Sequence, residues 1–210
     1  MEKDWSNLAE NFDALQRYIT GAETDKRIKQ ALSQLGALGH VLELGCGNGN
    51  YTKVLSANSQ SILATDISAS MVEVAKRQLA DLTDITVNIT VQTADCYATG
   101  LPANRYDTVF MANVIHVVKY PDRALQEAQR VLKKDGRLII VSFTMDGMNL
   151  INKIKMIYRY LKVFGKPAKE GTPFKLDTLT DFVKQQGFQV KTATLIGDRQ
   201  SKAMLIVATV

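Results

Sequence analysis

Three glycines within five residues, with an acid two positions ahead, form the densest chemical signal in the chain. They are Glu43, Gly45, Gly47 and Gly49 in VLELGCGNGNYT, residues 41–52. The segment starts as an apolar strand and leads into a helix, so the glycines occupy the turn between them. Glycine there tolerates positive φ and lets backbone approach a ligand closely. A helix start behind the turn offers unpaired N–H groups to an anion. Spacing then narrows the ligand. A dinucleotide fingerprint, G-x-G-x-x-G, needs its third glycine at position 50, which is Asn50. A P-loop needs Gly-Lys-Ser/Thr, whereas Gly49 is followed by Asn50 and Tyr51. What remains is G-x-G-x-G behind an acid. A carboxylate in that place suits a ligand with an ammonium group and suits a pyrophosphate poorly.

Further polar residues stand where other apolar runs end. Asp66 lies near the end of SILATDI, residues 61–67, where a carboxylate can accept both hydroxyls of a ribose. Its competing role is to cap the next helix, which Ser68 fills better. Asp95 ends TVNITVQTAD, residues 86–95, and Cys96 follows it; an ordinary loop aspartate is the plain alternative for Asp95. Cys96 has no base or clustered cation beside it in sequence to make its thiol reactive. Asn113 and His116 lie in MANVIHVV, residues 111–118. An imidazole at His116 can serve as a general base, or it can simply shape a pocket or pack at a helix start. No clustered His/Asp set with metal-ligand spacing is present.

The elements that must position these residues follow from hydrophobic pattern. VLELG (41–45), SILATDI, TVNITVQTAD, YDTVFMANV (106–114) and GRLIIVSF (136–143) read as strands. Helical spacing fills the gaps, as in residues 69–82 and 121–134. Continuous apolar strands separated by helices predict a parallel sheet covered on both faces, with ligands at the C-terminal strand ends. The ending differs. After a helix over 176–187, FQVKTATLIG (188–197) and SKAMLIVATV (201–210) are three residues apart. Strands so close must pair antiparallel. The expected fold is therefore a doubly wound, seven-stranded, mostly parallel α/β sheet with an antiparallel terminal strand, in one domain spanning 1–210. Two pieces flank it. Residues 1–35 read as a helical cap. Residues 148–166 read as an inserted helix with Leu150, Ile154, Ile157, Leu161 and Phe164 on one face and Lys153, Lys155, Arg159, Lys162 and Lys166 interleaved. That helix is open to three readings: a lid, a membrane contact, or a structural helix packed on the core.

Composition bounds the class. At 210 residues, 46% hydrophobic and 22% charged, the chain can fill an α/β core. No apolar run reaches the roughly 20 residues that span a bilayer, and the first residues, MEKDWSNLAE, are polar where a signal peptide is apolar. Two cysteines, Cys46 and Cys96, make no disulfide framework. A cytoplasmic location is expected. The net charge of +5 is uneven: residues 147–210 hold 11 Lys/Arg against 4 Asp/Glu. Such a basic third attracts anionic partners, or is a solvated lysine-rich surface.

From about residue 40 onward the sequence resembles the class I S-adenosylmethionine-dependent methyltransferases, in their small-molecule branch. The likeness is densest over 41–143. It implies that Glu43, Gly45, Gly47 and Gly49 cradle the methionine part of S-adenosyl-L-methionine and that Asp66 binds its ribose. It further implies that Ile67 packs on the adenine with Met71 nearby, and that Asp95 accepts from the adenine amino group while Cys96 offers its backbone N–H. Asn113 falls where that family's fourth strand meets cofactor and acceptor. Tyr18, in the N-terminal helices with Trp5 and Phe12, is placed to reach the methionine. No Asn/Asp-Pro-Pro-Tyr/Phe or Pro-Cys motif is present, so a nucleic-acid target is not expected, and the acceptor is expected to be a small molecule or lipid headgroup, an anionic one included. The alternative is a non-catalytic scaffold with this fold. A nicotinamide oxidoreductase is disfavoured by Asn50 and the terminal hairpin.

Overall fold

The structure is a computed structural model that describes residues 6–80, 87–165 and 171–210. Trp5 and Lys166, and the ends of two expected elements at 81–82 and 86, lie outside the described residues. Seven strands form one sheet: β1 (Gly39–Leu44), β2 (Ser59–Asp66), β3 (Asn88–Thr93), β4 (Tyr106–Ala112), β5 (Leu132–Thr144), β6 (Gln189–Gly197) and β7 (Lys202–Thr209). Their order across the sheet is β3-β2-β1-β4-β5-β7-β6. β1 pairs parallel with β2 and β4, β2 with β3, and β4 with β5. β7 inserts antiparallel between β5 and β6. The strand order reverses at β1 and β4, and a crevice opens beyond the carboxyl ends there.

The strand sequences explain why the sheet is covered on both sides. Successive side chains point to opposite faces. Leu42, Leu44, Val109, Met111, Leu138 and Ile140 feed one core. Their neighbours Val41, Phe110, Ile139 and Val141 feed the other. The first core is closed by α5 (Pro121–Val131) and α7 (Leu176–Gln185) through Leu125 and Leu179. The second is closed by α2 (Ala22–Ser33), α3 (Thr52–Ser56) and α4 (Ala69–Ala80) through Ile28, Leu55 and Ala75.

Helix α5 ends at Val131, three residues short of the expected end at 134. Leu132 is fully buried and extended, and it pairs with Tyr106, so the chain turns straight into β5. Ahead of the sheet, α1 (Phe12–Thr20) and α2 are joined by Gly21 at φ 81°. The end of α1 and the start of α2 are tied to the terminal hairpin. The buried Ser201 hydroxyl bonds to the Thr20 carbonyl oxygen and lies 2.7 Å from Thr24 Oγ1, and the Thr24 hydroxyl donates back to the Ser201 carbonyl (3.2 Å). Arg27 Nη1 adds a bond to the Gly197 carbonyl (2.8 Å).

The inserted helix appears as α6, Leu150–Phe164, capped by Asn149, whose Oδ1 accepts from the Asn152 N–H at 2.9 Å. Packing of its apolar stripe on the core is overturned: no α6 residue is buried, and Leu150 and Ile154 are 71% and 58% exposed. The helix touches the molecule through Phe164, the last residue of that stripe, and through the neighbouring face. Phe164 meets Phe12 (centroids 6.2 Å apart), Arg159 lies over the Tyr18 ring (5.8 Å), and Asn152 donates to the Arg199 carbonyl.

Candidate cofactor site

The turn after β1 is built as its glycines require. Gly45, Gly47 and Gly49 have φ of 74°, 55° and 86°, a region in which a side chain is strained. Each also meets a different neighbour. A Cβ on Gly45 would lie 2.3 Å from Val114 Cγ2, one on Gly49 would press on Leu79 at 3.2 Å, and one on Gly47 would meet nothing within 4 Å. Gly45 and Gly49 therefore serve packing, and Gly47 faces open space. Helix α3 behind the turn has only five residues, too few to offer the anion site that a longer helix start would provide.

Glu43 sits beneath this turn, 1% exposed. Its Oε2 accepts from the Thr52 hydroxyl at 2.5 Å, while Oε1 is buried with no partner. Burial pushes its carboxyl up to about 7 from an ordinary 4.5; the Thr52 bond lowers it and nearby Asp66 raises it further. Asp66, at the end of β2, accepts from the Gly47 N–H (2.8 Å) and the Ser68 N–H (2.9 Å). Burial raises its carboxyl too, against the pull of these amides. Ser68 takes the capping role, with its Oγ 3.4 Å from the Met71 N–H. The acid, the glycine turn and Asp66 thus form one connected unit.

The remaining expected residues fall around it unevenly. Ile67 is 61% exposed beside Asp66, as an apolar surface for a flat ring would be. Met71 is sealed with Ala9, Val74 and Phe12 between α4 and the N-terminal segment, behind the site. Asp95 accepts from the Tyr97 N–H (2.9 Å), which holds the turn carrying Cys96. Asn113 adopts φ 59°; its N–H donates to the Val141 carbonyl (2.8 Å) and its Oδ1 accepts from the Phe143 N–H (3.0 Å). Its side chain thereby bridges the ends of β4 and β5. His116 Nδ1 lies 2.8 Å from Ser142 Oγ, and burial pushes the imidazole down to about 4. Tyr18 is 46% exposed on the outer surface of α1, against Arg159. Burial drives the Cys46 thiol up, with Glu43 and Asp66 adding to it, so Cys46 is not a nucleophile at neutral pH.

Three contributors escape the sequence pattern: Thr52, Ser142 and Asn48. Asn48 is 2% exposed with Nδ2 buried and unpartnered. A threonine nine residues after an acid has no periodic signature; only the fold-back of the turn joins the two.

Known proteins resemble the chain in sequence and in fold. The family model described as a methyltransferase domain matches residues 42–140, a span that holds the expected site residues other than Tyr18 and stops short of Ser142. The chain is 28% identical over 167 residues to the ubiquinone/menaquinone biosynthesis C-methyltransferase UbiE of Pseudomonas aeruginosa, covering 76% of this chain. It spans 65% of that relative's length. The UbiE of Geotalea uraniireducens is 26% identical over 198 residues, covering 90% of this chain and 84% of the relative. A solved S-adenosylmethionine-dependent methyltransferase from Thermotoga maritima shares the fold, with TM-score 0.75, 20% identity and coverage of 98% and 97%.

Residues 42–140 match the methyltransferase-domain family, and the chain as a whole resembles the S-adenosylmethionine-dependent methyltransferases.

The cofactor of such methyltransferases is S-adenosyl-L-methionine, and the residues of this turn fit it. An orphaned, buried carboxylate oxygen at Glu43 and an orphaned amide at Asn48 flank a turn whose middle glycine opens on free space. Buried polar atoms without partners are costly, and a ligand bearing both a donor and an acceptor relieves both. Among the described residues, no group of three His, Cys, Asp or Glu is arranged to hold a metal ion. No helix among them is long and apolar enough to cross a membrane.

Proposed function

We propose that this methyltransferase acts by direct displacement on a small acceptor with a large apolar part. The observation that carries the reading is the linked set of Glu43, Gly47 and Asp66 at the strand-order reversal, with the Glu43 oxygen left unpartnered. When bound, S-adenosylmethionine supplies an electrophilic methyl carbon on a sulfonium. The chain's own part is binding and orientation, which alone lower such a barrier by several kcal/mol, up to roughly 7–11 in well-aligned cases. Glu43, with Gly45, Gly47 and Gly49, holds the amino-acid part, and Asn48 joins them. Asp66 accepts from the ribose hydroxyls, Ile67 covers the adenine, and Asp95 with the Cys96 backbone reads its edge. Asn113 fixes the β4 and β5 ends where the acceptor enters, Met71 backs the helix that follows Ile67, and Tyr18 closes the outer side. His116 is neutral at working pH and takes a proton only from an acceptor that arrives protonated.

Support for an apolar acceptor comes from the rim. Tyr120 and Met145 are exposed large apolar groups, and they follow β4 and β5 at the carboxyl end of the sheet. The matched relatives are named for ubiquinone and menaquinone biosynthesis, which makes an isoprenoid-bearing phenol or quinol the first acceptor class to try. A cytoplasmic location and a single catalytic domain accord with this reading.

The test is calorimetry with S-adenosylmethionine and S-adenosylhomocysteine on the native chain and on Asp66→Ala. Loss of one charge-assisted set of hydrogen bonds predicts a drop in affinity of roughly 10- to 100-fold. Equal affinity in the variant removes Asp66 from the site. Binding of neither compound by the native chain overturns the reading and favours a scaffold.

A further inference from the structure

The face of α6 that the fold leaves uncovered carries Leu150, Ile151, Ile154, Ile157, Tyr158 and Leu161, between 44% and 71% exposed. Six large apolar groups on a single 15-residue helix exceed the scattered exposure of ordinary surfaces. The helix contains no acid, and its charged residues are Lys153, Lys155, Arg159 and Lys162. At 100° per residue the apolar groups share one arc, and the exposed Lys155 and Lys162 stand along its border. Around the corner from that border, Lys155 and Arg159 line a cleft of about 240 Å³ with Asn152 and Gln200. Apolar face, cationic border and cationic cleft thus follow one another around the same helix. The same molecule carries its excess positive charge in this region, 11 Lys/Arg against 4 Asp/Glu over residues 147–210.

We infer that α6 is an interfacial helix that seats this protein on an anionic lipid bilayer, with its apolar face in the acyl boundary and the Lys155–Arg159 cleft against lipid phosphate. Three features select this occupant over a protein groove. The apolar arc is bordered by cations and not by mixed charge. A helix lying in a membrane surface needs this combination of wide apolar face and basic flank. The cations attract the negative surface potential of such a membrane, each adding to the affinity. An acceptor dissolved in the bilayer would then reach the strand-end crevice without crossing water. The membrane contact itself does not depend on what the acceptor is.

The experiment is flotation of the full chain with vesicles of phosphatidylcholine alone and of phosphatidylcholine mixed with phosphatidylglycerol. The expected result is strong association with the mixed vesicles, weak association with the neutral ones, and a decline as salt is raised. Ile154→Glu with Leu161→Glu should lower the partition coefficient roughly tenfold or more, and Lys155→Glu with Lys162→Glu should remove the preference for the anionic lipid. Both pairs are exposed, so unchanged melting and unchanged S-adenosylhomocysteine binding will show that the variants are folded. Failure to float with either vesicle overturns the inference, as does flotation that the Ile154/Leu161 variant retains. A dimer that the same variant dissociates, with no flotation, assigns the face to a second copy and also overturns it. Flotation by a chain that binds no S-adenosylhomocysteine would sink the cofactor reading alone.

Discussion

Burial disfavours the charged form of both Glu43 and His116, and the two respond to pH in opposite ways. Glu43 is raised from 4.5 to about 7. Between those values the unfolded chain has released the proton that the folded chain keeps, so this group makes stability fall as pH rises. His116 is lowered from 6.5 to about 4. Between those values the unfolded chain holds a proton that the folded chain lacks, so this group makes stability rise with pH. Each effect is on the order of 3 kcal/mol at full extent, and over the shared interval they oppose each other. Denaturant titrations of the unliganded protein should therefore show little pH dependence from this pair between 4.5 and 6.5. Glu43→Gln should leave stability climbing through that interval, and His116→Gln should leave it falling. Parallel pH profiles for the two variants would refute the assignment of both groups. The sequence identifies Glu43 and His116 as residues of interest. It does not reveal their protonation states, which depend on Thr52, Ser142 and the depth of burial.

At the scale of the element, the strand-to-helix turn divides its glycines between two duties. Gly45→Ala places a methyl 2.3 Å from Val114 at φ 74°. It should cost on the order of 2–4 kcal/mol of stability, with ligand affinity lost only as the fold is lost. Gly47→Ala meets no neighbour and should cost about 1 kcal/mol in backbone strain. Its methyl projects into the space assigned to the cofactor, so S-adenosylhomocysteine affinity should fall far more than melting temperature. Melting and calorimetry on the two variants separate these outcomes; equal effects on both measurements in both variants would contradict the division. The turn is legible in the sequence because positive φ demands glycine and an acid precedes it. Asn113 is less so. Its left-handed backbone and its bridge to the Phe143 N–H look, in sequence, like any polar residue at a strand end.

At the scale of the whole molecule, the sheet was the most readable feature, because a three-residue gap between two apolar strands permits only an antiparallel pair. The insertion of β7 beside β5 was not contained in that gap; it follows from β7 being buried on both faces, with Ala203, Met204, Leu205 and Ile206 at 5% exposure or less. The direction in which α6 points its apolar stripe was unreadable for a different reason. An amphipathic pattern is the same whether the stripe meets a core, a ligand or a lipid. One consequence of the chain's architecture concerns time rather than geometry. Helix α2 is fastened to the terminal hairpin by Ser201, Thr24 and Arg27, and it buries Ile28 and Leu32. Helix α1 buries only Ile19 and Thr20, meets the hairpin at its last residue through the Thr20 carbonyl, and along its length leans on α6 through Phe12 and Tyr18, with Gly21 between the two helices. The two helices are adjacent in sequence and should nonetheless open on separate clocks. Amides of α1 should exchange with deuterium roughly a hundredfold faster than those of α2, through local excursions that leave the sheet intact. Matched protection across Gly21 would mean that both helices breathe as one unit, and that access to the site waits on the unfolding of the hairpin itself.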